Sequence, residues 1–439
     1  MLNVLLVILV PVFLVVFAAR MARAYPTATG AVPPLVPIVV FAYLLRLVAY
    51  YVSHNVQLFT HGVGGDYMAY QLWADYIGAI WQREGVHMVT VDELAVVGRT
   101  ALPPNFFALV AYLNGDDAWE GCAALSALFA IVTGLNLFSL ASDLGAPPKR
   151  ALLVTVVFLF LPGFVLYSAE MYKDPMVWAL VFGVLASSIR LMTNLRPRDA
   201  IIGFLCAWCL WYVRFYLVFL TVAPLVVGLL GLNTKNPVRT LLLLLGGMAL
   251  MIPVLAYTKV FGELGDQATT TFDNATASTL RVNVAQASGS GVVFDDGGTI
   301  YGALHKKLAY TLFAPFPWQG GSIGLQIGKL DALVWVFFFW RAIVAARSLL
   351  RTRPGLLFAL LTFLLPTTVV YSFSMYNIGL ILRQRMPVVL VGMLLASLSW
   401  TDEMATVPSE SEGDPEPDDD DREAHDEDDD VVEAHVETG

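Results

Sequence analysis

The sequence predicts an all-α integral membrane protein with about eleven transmembrane helices, two long external loops and a disordered acidic C-terminal tail. Three observations predict this class. Apolar residues make up 57% of the chain and charged residues only 14%, with a mean hydropathy of +0.67, whereas soluble chains have about 25% charged residues. Apolar runs of about 17 residues or more recur along the chain. Half of the acidic residues collect at the C-terminal end.

About eleven apolar runs are long enough to be interpreted as membrane spans. They fall near residues 2–19, 34–52, 121–141, 151–168, 176–194, 200–213, 215–232, 240–260, 330–346, 355–373 and 386–400. The first run lacks a basic start, so we interpret it as a retained helix and not as a signal peptide. The runs at 105–113 and 308–315 are too short to span and are predicted to be re-entrant or interfacial.

Charge assigns the connections to the two sides of the membrane. Short connections rich in lysine and arginine face the cytoplasm, and this set comprises Arg20, Arg23, Lys149, Arg150, Arg190, Arg196, Arg198, Lys235, Arg239, Arg341, Arg347, Arg351 and Arg353. The N-terminus is then external and the tail cytoplasmic. Outside the tail, all acidic residues except Asp143 and Asp199 fall on the external side. The long loops, about 53–120 and 261–329, also lie there, so we expect any chemistry on the external face of the cell membrane.

The net charge of −10 conceals two regions of opposite charge. Residues 402–439 contain 18 of the 36 acidic residues and one arginine, so this segment carries −17 and the rest of the chain +7. A segment of this composition cannot bury a core and is predicted to be disordered. We therefore divide the chain into a transmembrane domain, residues 1–400, and an acidic tail, residues 401–439. The tail is either a partner-binding segment or a solvated spacer.

The first candidate motif follows the second apolar run and begins with Gly64, Gly65 and Asp66. The spacing of the residues after it predicts a helix, with Asp66, Tyr70 and Trp73 on one face. Tyr67 lies beside them in sequence. Aromatic rings next to a carboxylate are suited to sugar binding. Alternatively, Asp66 caps the helix and the aromatic residues form an interfacial belt.

Two further motifs lie at predicted external turns. Glu170, Lys173 and Asp174 form a dense charged cluster, with the two acids one helical turn apart. Such a tip is either simply solvated or functional. Arg214 lies between two apolar runs among aromatic residues. Its side chain either extends to the interface or pairs with a phosphate or carboxylate.

The last two motifs precede the ninth and eleventh apolar runs. Trp318 belongs to a Pro-Phe-Pro-Trp segment that is suited to an external sugar or acyl-chain platform, or to an interfacial anchor. Arg383 and Arg385 lie in a connection that charge bias assigns to the external side, where basic residues are unexpected. An Arg-x-Arg pair at a membrane surface is suited to bidentate phosphate binding, and a structural ion pair is the alternative.

Several function classes are not indicated. The chain has no P-loop, no G-x-G-x-x-G, no G-x-S-x-G and no His-rich cluster, so neither a nucleotide cofactor nor a nucleic-acid partner is expected. All three cysteines lie in apolar runs, and their interpretation is helix packing. No cofactor is required by any spacing. Aspartate and glutamate oxygens would suit a divalent cation if one binds.

The many spans, the acid in the first long external loop and the charged residues at later external hairpins resemble the GT-C superfamily of membrane glycosyltransferases. The Asn377–Pro387 motif and the Pro-Phe-Pro-Trp segment resemble membrane proteins of exopolysaccharide and O-antigen assembly, including polymerases. The resemblance implies a polyprenyl-phosphate or polyprenyl-diphosphate sugar donor and an external glycan, lipid or protein acceptor.

The resemblance also implies roles for individual residues. Asp66 would be the general base on the acceptor hydroxyl, with Glu170 or Asp174 as a second catalytic acid. Arg383 and Arg385, together with Arg214 or Lys173, would stabilise the leaving phosphate.

Two other function classes stay open. A lipid-linked glycan transporter would need polar residues in mid-span, of which Arg46 is the clearest. A non-catalytic scaffold would recruit partners of an assembly complex through the acidic tail.

Overall fold

A computed structural model describes residues 2–26, 30–56, 66–97, 100–115, 118–229, 291–292, 294, 303–321, 323–373 and 377–399. The chain divides into two units, Met1–Asp402 and Glu403–Gly439. The second unit, and with it the predicted disordered tail, lies outside the described residues. So do Gly64 and Gly65, the predicted span at 240–260 and most of the predicted loop at 261–329.

The described residues form helices and no strand. In chain order these are α1 Leu2–Ala24, α2 Leu35–Val56, α3 Asp66–Glu84, a 3-10 turn Ala95–Val97, α4 Leu102–Asn114, α5 Trp119–Asp143, α6 Pro148–Phe160, α7 Pro162–Ser168, α8 Asp174–Thr193, α9 Pro197–Arg214, α10 Tyr216–Leu229, α11 Leu304–Phe313, α12 Ile323–Thr352, α13 Pro354–Phe373, α14 Ile378–Gln384 and α15 Met386–Leu398. Proline in the first turn of six of the later helices fixes their start, because it has no N–H to leave unpaired there.

Six described helices are long and apolar enough to cross a membrane, namely α1, α2, α5, α8, α12 and α13. The count is eight if two bent pairs, α6 with α7 (58°) and α14 with α15 (50°), are each one span. The all-helical, multi-pass membrane class is therefore confirmed, and the count of eleven stays a prediction. Two other predicted spans correspond to α9 and α10, which are not among these six helices. The α9 helix carries the charged residues Arg198, Asp199 and Arg214, and α10 has only 14 residues.

The core lies around α5 and α8. In each of these two helices 72% of the most apolar stretch is buried, against 17% in α1, which is at the periphery. Gly203, near the start of α9, approaches Leu225, near the end of α10. The chain therefore reverses direction near Phe215, and both helices pack on α8.

The membrane helices have two distinct ends. Asp174 begins α8, and we call this the pocket end. At the opposite end, Arg190 in the last turn of α8 binds Asp143, the last residue of α5, at 3.0 Å. Tyr25, just after α1, donates to the same carboxylate at 2.6 Å. The helices α1, α5 and α8 therefore run parallel, and we call this second end the arginine end.

Buried charged residues near the two helix breaks bond to backbone groups. At the break after α6, Arg46 donates to the Leu159 carbonyl at 3.1 Å, and Asp331 accepts from the Gly163 N–H at 2.8 Å. In a continuous helix the Gly163 N–H would donate to the Leu159 carbonyl. Arg385, at the break before α15, donates to the Ala314 carbonyl. Apolar surroundings make unpaired backbone groups costly. Arg46 and Asp331 therefore satisfy the backbone that the α6–α7 break sets free, and Arg385 satisfies a carbonyl at the end of α11.

Candidate functional site

A cavity of about 470 Å³ at the pocket end gathers side chains that are far apart in sequence. It forms where three turns meet: the α7–α8 connection, the α9–α10 reversal and the end of α14. The α3 helix adds a fourth wall. The lining consists of Ala69, Tyr70, Trp73, Thr100, Lys173, Asp174, Arg214, Phe215, Tyr216, Leu380, Arg383 and Gln384. We call this cavity the anion pocket for the reason that follows.

The charges in the anion pocket are organised around Asp174. Its Oδ1 accepts from Nη2 of Arg214 at 3.2 Å, and its Oδ2 lies 3.6 Å from Nη1 of Arg383. The Asp174 side chain is only 3% exposed. With Lys173 the lining carries three positive charges and one negative charge. The positive end of the α8 dipole lies at the same place, so the pocket favours an anion.

Arg383 is held on more than one side. Its guanidinium lies over the rings of Tyr167 and Tyr172, at 5.5 and 5.3 Å from their centres. The indole of Trp178 donates to the Arg383 carbonyl at 3.2 Å. Cation–π contacts and the ion pair with Asp174 reduce the freedom of the side chain before any ligand binds.

Arg214 occupies the reversal between α9 and α10 and is buried. The phenols of Tyr216 and Tyr371 lie beside its guanidinium and interact with it. Tyr216 comes from α10 and Tyr371 from α13, so the arginine is held by residues of these two helices as well as by Asp174 of α8. Its position is fixed by the surrounding protein, and it does not extend freely to the membrane interface.

Two aromatic residues of α3 form the wall opposite the arginines. Tyr70 and Trp73 meet edge to face, with ring centres 5.1 Å apart. Tyr70 also packs edge to face on Phe107 of α4, and 4% of it is exposed. Rigid rings beside charged groups can contact the apolar face of a sugar while the charges bind its polar substituents.

Glu170 does not line the anion pocket. It is buried, and its Oε1 lies 3.3 Å from Nδ1 of His54 on α2. Burial raises the pKa of the Glu170 carboxyl, and its contacts with Ser53 and His54 oppose this increase. Tyr67, a predicted substrate-binding residue, packs on His54 and on Tyr172 and borders this separate cluster.

Arg385 lies in the protein interior, two residues from Arg383. It is 2% exposed, donates to the carbonyls of Leu312 and Ala314, and faces Asp331. Of the predicted Arg-x-Arg pair, therefore, only Arg383 lines the pocket. The two residues fall on different sides because they are about 200° apart around a helix.

Two other predicted residues are not part of the described lining. Asp66 begins α3 one turn before Tyr70, but its side chain lies outside what the structure describes. Trp318 is 77% exposed and stacks on Phe316 with ring centres 4.9 Å apart. This flat exposed pair fits both interpretations of the Pro-Phe-Pro-Trp segment.

The described lining does not suit a cation. Asp174 is its one carboxylate among the described residues, and two arginines occupy it. Elsewhere in the described ranges, Glu84, His87 and Glu93 have ligand atoms within 4.8 Å of one another. This exposed group begins 11 residues after Trp73, which is about 16 Å along a helix.

Sequence reasoning missed Tyr371 and Thr100, and it included Tyr167 in the charged turn without assigning a role to it. Tyr371 follows a long apolar run and has no charged neighbour in sequence, so no local signal marked it. Its contact with Arg214 depends on how α13 packs. Tyr172, which supports Arg383, was visible in the charged turn but had no role assigned to it.

No protein-family model matches the chain, and no curated protein or solved structure was found with significant similarity to it.

Proposed function

We propose that this protein is a membrane glycosyltransferase that takes a sugar or glycan from a polyprenyl-phosphate-linked donor and transfers it to an acceptor on the external face. The observation that carries this proposal is the convergence of Lys173, Arg214 and Arg383 on one pocket at the ends of membrane helices. A lipid-linked phosphate, held at the membrane surface by its lipid, is an anion suited to a pocket at the ends of membrane helices. Transfer of one sugar and polymerisation of a repeat unit both use this donor chemistry.

The donor phosphate would occupy the arginine side of the pocket. Arg383 and Arg214 both bind Asp174, so the carboxylate keeps both guanidiniums in place and limits their mutual repulsion. An incoming phosphate accepts charge-assisted hydrogen bonds from the two guanidiniums. In this arrangement Asp174 is a positioning residue, which differs from the catalytic role suggested by the resemblance.

The acceptor side would be the α3 wall. Tyr70 and Trp73 contact the sugar, and Asp66, one helical turn before Tyr70, supplies the base. The acceptor hydroxyl gives its proton to the carboxylate, and its oxygen bonds to the anomeric carbon. The bond from that carbon to the phosphate oxygen breaks, and the phosphate leaves with the electron pair. Lys173, Arg214 and Arg383 stabilise the charge that grows on it.

A binding experiment tests the phosphate site directly. A short-chain polyprenyl phosphate and the matching polyprenol are titrated against the full chain in detergent. Wild-type protein should prefer the phosphate by about tenfold or more, because charge-assisted hydrogen bonds contribute about 1.5–3 kcal/mol. Arg383→Ala should remove most of this preference. Arg83→Ala, an exposed arginine of α3, is the matched control and should leave it unchanged. Equal binding of both lipids by wild type would overturn the site.

A turnover experiment tests the enzymatic step. Glycan transfer from extracted lipid-linked donors is measured in membranes with matched protein levels. Asp66→Asn and Arg383→Ala should each lower transfer by about 100-fold or more, while donor binding in Asp66→Asn stays near wild type. Wild-type transfer in both variants would exclude the glycosyltransferase interpretation even if the phosphate site is real.

A second candidate, a transporter for lipid-linked glycans, is favoured by one observation. The two short half-helices α7 and α14 meet beside the pocket, where Arg383 lies over Tyr167. Discontinuous helices that contact a binding site are typical of transporters. Movement of a fluorescent lipid-linked glycan across proteoliposome membranes without its consumption would support this candidate.

The scaffold interpretation depends on the acidic tail, residues 401–439. If the protein is a scaffold, its complex should still assemble when both Asp66 and Arg383 are replaced.

A further inference from the structure

A second cavity, of about 730 Å³, lies at the arginine end, on the opposite side of the molecule from the anion pocket. It is bounded by the ends of α1, α5 and α8 and by the start of α9. Arg20, Arg190, Arg196 and Arg198 line it together with Asp143 and Asp199. We call it the arginine cavity. None of its residues takes part in the function proposed above.

The helix directions explain why these arginines meet. Arg20 lies in the last turns of α1, and Arg190 in the last turn of α8. Arg196 and Arg198 follow in the short connection and first turn of α9. Because α1 and α8 run parallel, residues separated by 170 positions face one concave surface. The negative ends of two helix dipoles also lie here and favour cationic side chains at these positions.

Arg190 is the fixed part of the cavity. Its Nε binds Oδ2 of Asp143 at 3.0 Å, and its Nη2 donates to the hydroxyl of Ser139 at 2.5 Å. Tyr25 donates to the other oxygen of the same carboxylate at 2.6 Å. These bonds join α1, α5 and α8 and hold the guanidinium at the cavity wall.

The other three arginines are exposed and take no part in an ion pair within the described ranges. The four arginines and two aspartates of the cavity give it a net charge of +2. One of the two aspartates, Asp143, is already paired with Arg190. Its lining also includes the apolar residues Phe17 and Met21 of α1, a helix apolar enough to cross a membrane, and Ile202 of α9. A charged wall and an apolar wall therefore meet in one cavity.

We propose that the arginine cavity binds a phosphate anion carried by an anionic phospholipid. The headgroup phosphate lies among Arg20, Arg196 and Arg198, and an acyl chain follows Phe17 and Ile202 into the bilayer. Basic cavities between membrane helices on the cytoplasmic side are suited to such headgroups. Exposed arginines outside the cavity, such as Arg23, Arg347 and Arg351, serve only to orient the chain.

The experiment compares arginines of the cavity with exposed arginines outside it. Full-length protein in detergent micelles with excess phosphatidylcholine is titrated with fluorescent phosphatidylglycerol. In detergent both faces are open, so the result does not depend on orientation in the membrane. The test variant is R196Q/R198Q, and the matched control is R347Q/R351Q, which removes the same charge outside the cavity. Retention volume and unfolding temperature verify that each variant is folded.

Each cavity arginine lost should weaken binding by about fivefold, so the double variant should lose about 25-fold. The control should lose less than about twofold. If R196Q/R198Q does not fold, Arg20→Gln, on a different helix, should show the single fivefold loss. Equal losses in cavity and control variants, or no binding of phosphatidylglycerol by wild type, would overturn the proposal.

Inorganic phosphate distinguishes the two sources of the anion. Excess phosphate should displace the fluorescent lipid only weakly, because it gains nothing from the apolar wall. If low millimolar phosphate displaces the lipid from wild type but not from R196Q/R198Q, the cavity is an anion site for a free phosphate compound. That result would overturn the proposal that the ligand is a phospholipid.

Discussion

At the scale of single residues, charge and burial decide roles that the sequence leaves open. Arg383 and Arg385 are identical in chemistry and two positions apart, yet one lines the anion pocket and the other is enclosed at a helix break. Arg46 looked in sequence like a transport residue in mid-span. In the structure it binds Ser168 and the carbonyls of Ala42 and Leu159. These hydrogen bonds explain why an arginine is buried here, and no role in transport is needed.

The arginine pair predicts two different phenotypes. Arg385→Ala leaves Asp331 facing an empty space and removes a donor from two buried carbonyls. We expect it to destabilise the protein by about 3–5 kcal/mol. Arg383→Ala should cost far less stability but remove most of the preference for polyprenyl phosphate over polyprenol. Unfolding temperature and lipid binding, measured on both variants, test this. Equal stability losses in the two variants would contradict it.

The exposed pair of His87 and Glu93 predicts a pH dependence. His87 Nε2 lies 2.6 Å from Glu93 Oε2, and its Nδ1 faces the Gly85 carbonyl at 2.9 Å. The hydrogen bond with Glu93 raises the pKa of His87 above 6.5, and the same bond lowers the pKa of Glu93 below 4.5. Glu84 adds a smaller attraction to the imidazolium.

The sign of the effect follows from these directions. The raised pKa of His87 stabilises the fold below pH 6.5 and loses this effect as the pH rises through its folded value. The lowered pKa of Glu93 stabilises it above pH 4.5 and loses this effect as the pH falls. The difference in unfolding temperature between wild type and His87→Gln should therefore be largest between pH 4.5 and 6.5 and shrink above it. A constant difference would contradict the ion pair.

At the scale of elements, close packing and helix breaks shape the site. The α10 helix approaches α8 so closely that a Cβ at Gly228 would lie 2.8 Å from the Cα of Ser188. This contact supports the α9–α10 reversal that carries Arg214. The breaks in α6–α7 and α14–α15 bring the turns with Lys173 and Arg383 to the same end.

Two glycine-to-alanine substitutions distinguish the effect of close helix packing on stability from the effect of glycine's backbone flexibility. Gly228→Ala forces α10 away from α8 and should destabilise the protein by about 1–3 kcal/mol, with a loss of phosphate binding because Arg214 moves. Gly78→Ala, in α3, meets nothing within 4 Å. It should stabilise by about 0.5–1 kcal/mol. Thermal unfolding measures both, and a neutral Gly228→Ala would show that the α8–α10 contact is looser than described.

At the scale of the whole molecule, the two basic cavities lie at opposite ends of the helices. The arginine end also receives Arg353, whose Nη1 donates to the Leu144 carbonyl at 2.7 Å. The anion pocket occupies the other end. The positive-inside bias predicts that the arginine end faces the cytoplasm, which puts the anion pocket outside.

Cysteine labelling tests this orientation. Cys122, Cys206 and Cys209 are first replaced by alanine, and Gln82→Cys or Thr352→Cys is added at an exposed position. An impermeant maleimide should label position 82 in intact cells and position 352 only after permeabilisation. The reverse pattern would place the anion pocket in the cytoplasm and exclude an external acceptor.

The sequence by itself determined the helical membrane class and the separation of basic from acidic connections, because hydropathy and charge are summed over whole segments and do not depend on packing. It also identified five predicted site residues that line the anion pocket, namely Tyr70, Lys173, Asp174, Arg214 and Arg383. Each stands out locally as a polar or aromatic residue at the end of an apolar run.

Only the tertiary structure decided which of these residues meet. Glu170 has the same local pattern as Asp174 but faces His54, and Arg385 faces Asp331 instead of the pocket. Tyr371 contacts Arg214 from a distant helix. Contacts of this kind depend on the rotation of each helix about its axis and on where helices break. Those features arise from packing among many side chains, which no short sequence window contains.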